Sequence, residues 1–144
     1  MKRIVLLALF ASLFGSFTLK GQSCLPSGIV VSTQAQIDNF PSNYPGCSNL
    51  AGSIWIKGGV ANLDSLSVLT HIGGSLIITD CTVLSSLEGL NQLTTIGGDL
   101  QVANNAALHS FTGLDQLTSI GGNLDIQNSV FPSLNGLNQL TTVG

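Results

Sequence analysis

Ser86-Leu-Glu-Gly-Leu-Asn-Gln-Leu-Thr-Thr-Ile-Gly-Gly-Asp-Leu-Gln-Val102 returns 24 residues later as Ser110-Phe-Thr-Gly-Leu-Asp-Gln-Leu-Thr-Ser-Ile-Gly-Gly-Asn-Leu-Asp-Ile126. A third copy starts at Ser133, one residue early, and runs to Val143-Gly144. Working back toward the N-terminus, Ile72-Gly73-Gly74 and Ile54-Trp55-Ile56 belong to the same series. Aligned, the copies give seven apolar columns. Two are strand-like: Ile54, Leu76, Leu100, Leu124 and Ile56, Ile78, Val102, Ile126. The others are Val60, Leu84, Leu108, Phe131; Leu63, Leu87, Phe111, Leu134; Leu66, Leu90, Leu114, Leu137; Leu69, Leu93, Leu117, Leu140; and Ile72, Ile96, Ile120, Val143. Aliphatic residues that return in step at this period mark a stacked solenoid.

Leu76 and Ile78 alternate with Ser75, Ile77 and Thr79, the period of a strand with one buried face. One such strand per turn, revisited every 24 residues, makes a parallel sheet with rungs ~4.8 Å apart. The spacing of Leu90, Leu93 and Ile96 suits a short helical or 3₁₀-like turn, or a bent extended stretch. The Gly-Gly pair before each strand predicts a sharp corner of positive φ where a Cβ would clash. A single turn cannot bury its own apolar side, so stability has to come from the interfaces between turns, and the ends need covering.

Residues 22–50 supply the N-terminal cover. Ile29-Val30-Val31 reads as a short strand, and Thr33-Gln34-Ala35-Gln36 as a helix start with a capping box. Ile37 and Phe40 share one face of that helix, Tyr44 follows, and Pro41 is expected to stop it. We place this unit over the first turn, tied by a Cys24–Cys47 disulfide whose 22-residue loop stabilises by ~3 kcal/mol. Cys81, left over from the three cysteines, is expected as a free, partly buried thiol. Residues 51–144 form the repeats, and a stop at Gly144 inside a Gly-Gly corner suggests a longer protein whose C-terminal region is missing.

The chain begins with a leader. Lys2 and Arg3 precede an apolar run from Ile4 to Phe14, which predicts a secretory signal peptide over residues 1–21. The run is too short for a membrane span, and no other segment is apolar enough for one. All seven carboxylates follow the leader, against Lys57 as the sole Lys or Arg. The mature net charge of about −6 would repel nucleic acid and anionic lipid. Export permits disulfides.

The unit Ser-Leu-x-Gly-Leu-x-x-Leu-Thr-x-Ile-Gly-Gly-x-Leu-x-Ile, with Cys47 and Gly52-Ser53-Ile54-Trp55-Ile56 before it, resembles the receptor L-domain family. The opening from Cys24 to Ile29, then Ile37 to Phe40 and Tyr44-Pro45-Gly46-Cys47, is most similar to its bacterial secreted and surface branch. The resemblance covers residues 24–144. It implies a right-handed parallel β-solenoid with leucine-rich edges and a role in extracellular recognition. It names no ligand.

Outward strand positions form two ladders: Ser53, Ser75, Asp99, Asn123, and Trp55, Ile77, Gln101, Asp125. Trp55 beside Ile77 is an apolar patch on a polar sheet, either a binding anchor or a surface covered by the N-terminal segment or a partner domain. Asp99 and Asp125 lie diagonally on adjacent rungs. Paired carboxylates suit acid–base work or calcium, but no Lys, Arg or His joins them and no Asp-rich loop follows. His71, placed at a corner, and His109 read as surface residues without metal-ligand spacing. No nucleophile or phosphate-loop motif occurs. Asp80, Asn104 and Asn128 stack just after the strand as a structural corner. Adjacent threonines such as Thr94 and Thr95 point to opposite sides if extended, unlike the Thr-x-Thr array of an ice-binding strand. These residues predict a non-enzymatic module that needs no cofactor or metal and binds extracellular protein or glycan through Trp55, Ile77, Gln101, Asp125 and Asp99. A structural spacer in a longer adhesin and a carbohydrate-active β-helix enzyme are the alternatives.

Overall fold

Each turn of the chain lays down two strands rather than the single one its alternation predicts. The computed structural model describes residues 22–129, 131 and 133–144, so the expected leader lies outside it. The cap segment contributes β1 (Gln22–Cys24), β2 (Ile29–Thr33), α1 (Gln34–Asp38), α2 (Phe40–Asn43) and β3 (Cys47–Leu50). The repeats contribute β4 (Ile54–Gly59), a 3₁₀ turn (Asp64–Leu66), β5 (His71–Ile72), β6 (Leu76–Thr79), β7 (Thr95–Ile96), β8 (Leu100–Ala103), β9 (Ser119–Ile120), β10 (Leu124–Gln127) and β11 (Thr142–Val143). The strands assemble into two sheets, a five-stranded one in the order β2-β4-β6-β8-β10 and a six-stranded one in the order β1-β3-β5-β7-β9-β11. All pairings are parallel, so the chain is a parallel β-solenoid.

The apolar columns fix the register. Leu76 pairs with Leu100 and Leu100 with Leu124, as Ile78 does with Val102 and Val102 with Ile126. From Val31 to Ile120 the column residues are buried in one continuous core. Only the last rung departs from this. Leu134 is 55% exposed and Val143 46%. That rung's copy is one residue short, and Leu134 does not join the core its column predicts.

Between the sheets, the Leu-x-x-Leu-x-x spacing makes consecutive i→i+3 hydrogen bonds. The N–H of Leu90 donates to Leu87 and that of Leu93 to Leu90, at 3.0 and 2.9 Å. The next turn repeats this from Leu114 to Phe111 and from Leu117 to Leu114. Tight turns of this kind bring side chains three apart onto one side, here the inside.

The glycine corners work differently from the expectation. None of the corner glycines Gly73, Gly74, Gly97, Gly98, Gly121 and Gly122 has positive φ. They are glycines because successive rungs touch there: a Cβ on Gly97 would lie 2.3 Å from the Gly73 carbonyl oxygen. Positive φ falls instead on Gly89, Gly113 and Gly136, and on the non-glycine column Asp80, Asn104 and Asn128 at 58°, 57° and 47°. Asn and Asp tolerate this left-handed conformation best. Here they also bond to one another, Asn104 Nδ2 to Asp80 Oδ1 and Asn128 Nδ2 to Asn104 Oδ1, both 3.0 Å.

The cap both covers the first turn and extends both sheets by a rung. Thr33 caps α1 with the complete capping box. Ile37 and Phe40 are fully buried, and Phe40 meets Tyr44 with ring centroids 5.1 Å apart. Pro41 does not stop the first helix, which has already ended at Asp38. It sits in the first turn of α2, where a missing N–H costs nothing. The Cys24–Cys47 disulfide is present and joins β1 to β3 across paired rungs. Among the described residues, no helix is long and apolar enough to cross a membrane.

Candidate functional site

The outer face of the five-stranded sheet carries one side chain per rung at each position. Val30, Trp55, Ile77, Gln101 and Asp125 are paired in that order through β2, β4, β6, β8 and β10. Period-2 alternation sends their neighbours inward: Ile54, Ile56, Leu76 and Ile78 are all fully buried. The row is therefore apolar at its N-terminal end and polar, then acidic, at the other.

Trp55 is 39% exposed and Val30 48%. The N-terminal segment does not cover Trp55. It lies beside it as the next rung and lengthens the apolar row by Val30. Trp55 donates its indole N–H to Thr79 Oγ1 at 2.9 Å, which fixes the ring along the sheet. Lys57 Nζ lies 4.4 Å from the ring centroid in a cation–π contact. Beside the ring opens a cleft of about 260 Å³, lined by Ser27, Gly28, Ile29, Val30, Ser53 and Ile77 together with Trp55.

Sequence reasoning missed Val30 and Lys57. The in-out alternation of Ile29-Val30-Val31 matches that of Ile54-Trp55-Ile56 and was the signal for Val30. The cap reading and the 25-residue offset hid it. Lys57 stands two residues beyond Trp55 on the same face of β4, a spacing that was legible.

The second ladder has backbone work to do. Ser53 Oγ accepts the Ser75 N–H, Ser75 Oγ accepts the Asp99 N–H, and Asp99 Oδ1 accepts the Asn123 N–H, at 2.9, 2.9 and 2.7 Å. Each side chain thus satisfies a donor on the next rung. Asp99 belongs to this structural column, while Asp125 belongs to the outward row, half-buried, its carboxylate held by Gln127 Nε2 at 2.8 Å. Asp99 and Asp125 sit one rung and two residues apart, ~8 Å by strand geometry. Among the described residues, no group of three or more His, Cys, Asp or Glu is placed to hold a metal ion.

The remaining candidates settle into the frame. His71 is not at a corner. It occupies an outward position of β5, half-buried, with Nδ1 hydrogen-bonded to Thr95 Oγ1. His109 is exposed. Thr94 precedes the two-residue β7 and is exposed, while Thr95 lies in it, half-buried. The Thr94 hydroxyl donates to the Thr70 carbonyl at 3.0 Å, and Thr118 repeats this on Thr94. Cys81 is free and more deeply placed than expected, fully buried, with its thiol pushed up to about 11 by burial and then by the Asp80 carboxylate. A comparison with protein families, with curated proteins and with solved structures finds no match to the chain.

Proposed function

We propose that this chain is an exported, non-enzymatic recognition module, akin to the bacterial branch of the receptor L-domains, that binds an extracellular ligand through the outer face of its five-stranded sheet. The observation that carries the reading is Trp55: a large aromatic, pinned by Thr79 and Lys57, left partly open beside a cleft. A tryptophan held in one orientation loses little entropy on binding and presents a broad apolar contact. The Cys24–Cys47 disulfide is compatible with an oxidising, extracellular setting. The Ser53, Ser75 and Asp99 ladder beside it spends its acceptors on neighbouring rungs, which favours a rigid surface over a reactive one.

The test is binding to oligosaccharide arrays and to displayed random dodecapeptides, with wild-type chain and Trp55→Ala in parallel. Ligands lost with Trp55→Ala but kept by His109→Ala support the reading. Ligands insensitive to Trp55→Ala place recognition elsewhere and refute it.

A further inference from the structure

The geometry points to a polypeptide ligand that seats one aliphatic or aromatic side chain in the Trp55 cleft and sets a Lys or Arg against Asp125, ~14 Å away. This deepens the proposed recognition role and rests on it.

The lining of the cleft argues for a side chain over a sugar. Ile29, Val30, Trp55 and Ile77 form its walls, and Gly28 adds no side chain. Of the polar side chains there, Ser53 Oγ already accepts the Ser75 N–H and the Trp55 indole N–H is taken by Thr79, which leaves the Ser27 hydroxyl at the rim. A pyranose placed there would meet few uncommitted polar groups, and each buried hydroxyl left without a partner costs free energy. An apolar side chain buries only carbon and contacts the indole face.

Charge along the row argues for the second half. Trp55, Ile77, Gln101 and Asp125 stand on consecutive rungs, so Asp125 lies three rung spacings of ~4.8 Å from Trp55. Asp125 is oriented by Gln127 Nε2 and has no cation beside it among the described residues. Asp99 adds a second negative charge one rung before it. After the leader, Lys57 is the sole Lys or Arg in the chain, and it is committed to the Trp55 ring at the apolar end. Two carboxylates on adjacent rungs of one outer face complement a basic group. Because ~14 Å is about four residues of extended chain at ~3.4 Å each, the pattern expected in a linear ligand is an apolar residue and a basic residue four positions apart.

The experiment is selection of displayed random dodecapeptides on the full chain, with removal of sequences that also bind Trp55→Ala. Enriched sequences should pair an apolar with a basic residue four apart. A synthetic peptide of that consensus should quench or shift Trp55 fluorescence, which is specific because the chain has one tryptophan. Asp125→Asn should weaken its binding ~3- to 5-fold, and molar NaCl should do much the same, as expected for an exposed ion pair. Trp55-dependent peptides with no basic residue, or binding indifferent to Asp125→Asn, would overturn the inference while leaving the recognition role in place. Trp55-dependent binding of neutral oligosaccharides alone would do so too. Absence of any Trp55-dependent ligand would overturn both.

Discussion

Asn105 reaches back one rung to hold Cys81. Its Oδ1 accepts the Cys81 backbone N–H at 2.9 Å and its Nδ2 donates to the Ile78 carbonyl at 2.8 Å. It is the one buried polar side chain among the described residues. Asn105→Leu keeps the branched heavy-atom shape but strands a buried backbone donor and acceptor, so it should lower stability by ~2 kcal/mol in urea unfolding. An unchanged midpoint would show that water already serves these groups.

Gly97 should tolerate no side chain. An added Cβ would meet backbone at 2.3 Å, and backbone cannot swing away as a flexible side chain can. Gly97→Ala should therefore cost ~3 kcal/mol or more by separating two rungs. Gly59, with open space around its would-be Cβ and no positive φ, should accept alanine within ~1 kcal/mol. Thermal unfolding of the two variants checks the contrast.

Cys81 sets a pH dependence. Unfolded, the thiol ionises near its ordinary 9.0; folded, it is pushed up to about 11. Between those values the unfolded chain has released a proton that the native chain retains. The thiol's contribution is thus fully present below pH 9 and lost as pH rises toward 11. Wild-type stability should fall more steeply across that window than that of Cys81→Ala. Parallel pH profiles of the two would contradict this. A thiol reagent at neutral pH should label Cys81 only after unfolding.

The disulfide ties the first two rungs of the six-stranded sheet. Replacing Cys24 and Cys47 together with serine frees a loop of sequence separation 23 and should cost ~3 kcal/mol. Hydrogen exchange should show the loss concentrated in β1 to β3 and the cap helices, since a solenoid couples mainly to nearest neighbours. Uniform loss along all rungs would contradict that picture.

The columns made the solenoid legible because burial writes itself into side-chain type at every turn: Leu76, Leu100 and Leu124 had nowhere else to go. The second sheet was not legible, because strands as short as Thr95–Ile96 hold too few residues to show a period of two. Glycine identity said that a Cβ is excluded at Gly97 without saying whether φ or a neighbouring rung excludes it. Pro41 ends one helix or opens another with equal ease, and only the position of Asp38 decided between them. At the candidate site, Trp55 and Ile77 stood out as apolar residues in polar columns. Val30 did not, because its strand belongs to the segment read as a cap. Asp99 was legible as an outward residue, but its bond to the Asn123 N–H requires the neighbouring rung to be in place.

The register that brings Val30, Trp55 and Ile77 side by side on an open surface underlies both the fold and the function argued for it. It is tested most directly by nuclear Overhauser contacts from the Trp55 indole in a methyl-labelled sample. Strong contacts to the methyls of Val30 and Ile77, with ready quenching of Trp55 fluorescence by acrylamide, are the predicted result. Contacts to the inward methyls of Ile54 or Ile78 instead, with an indole shielded from quencher, would contradict it.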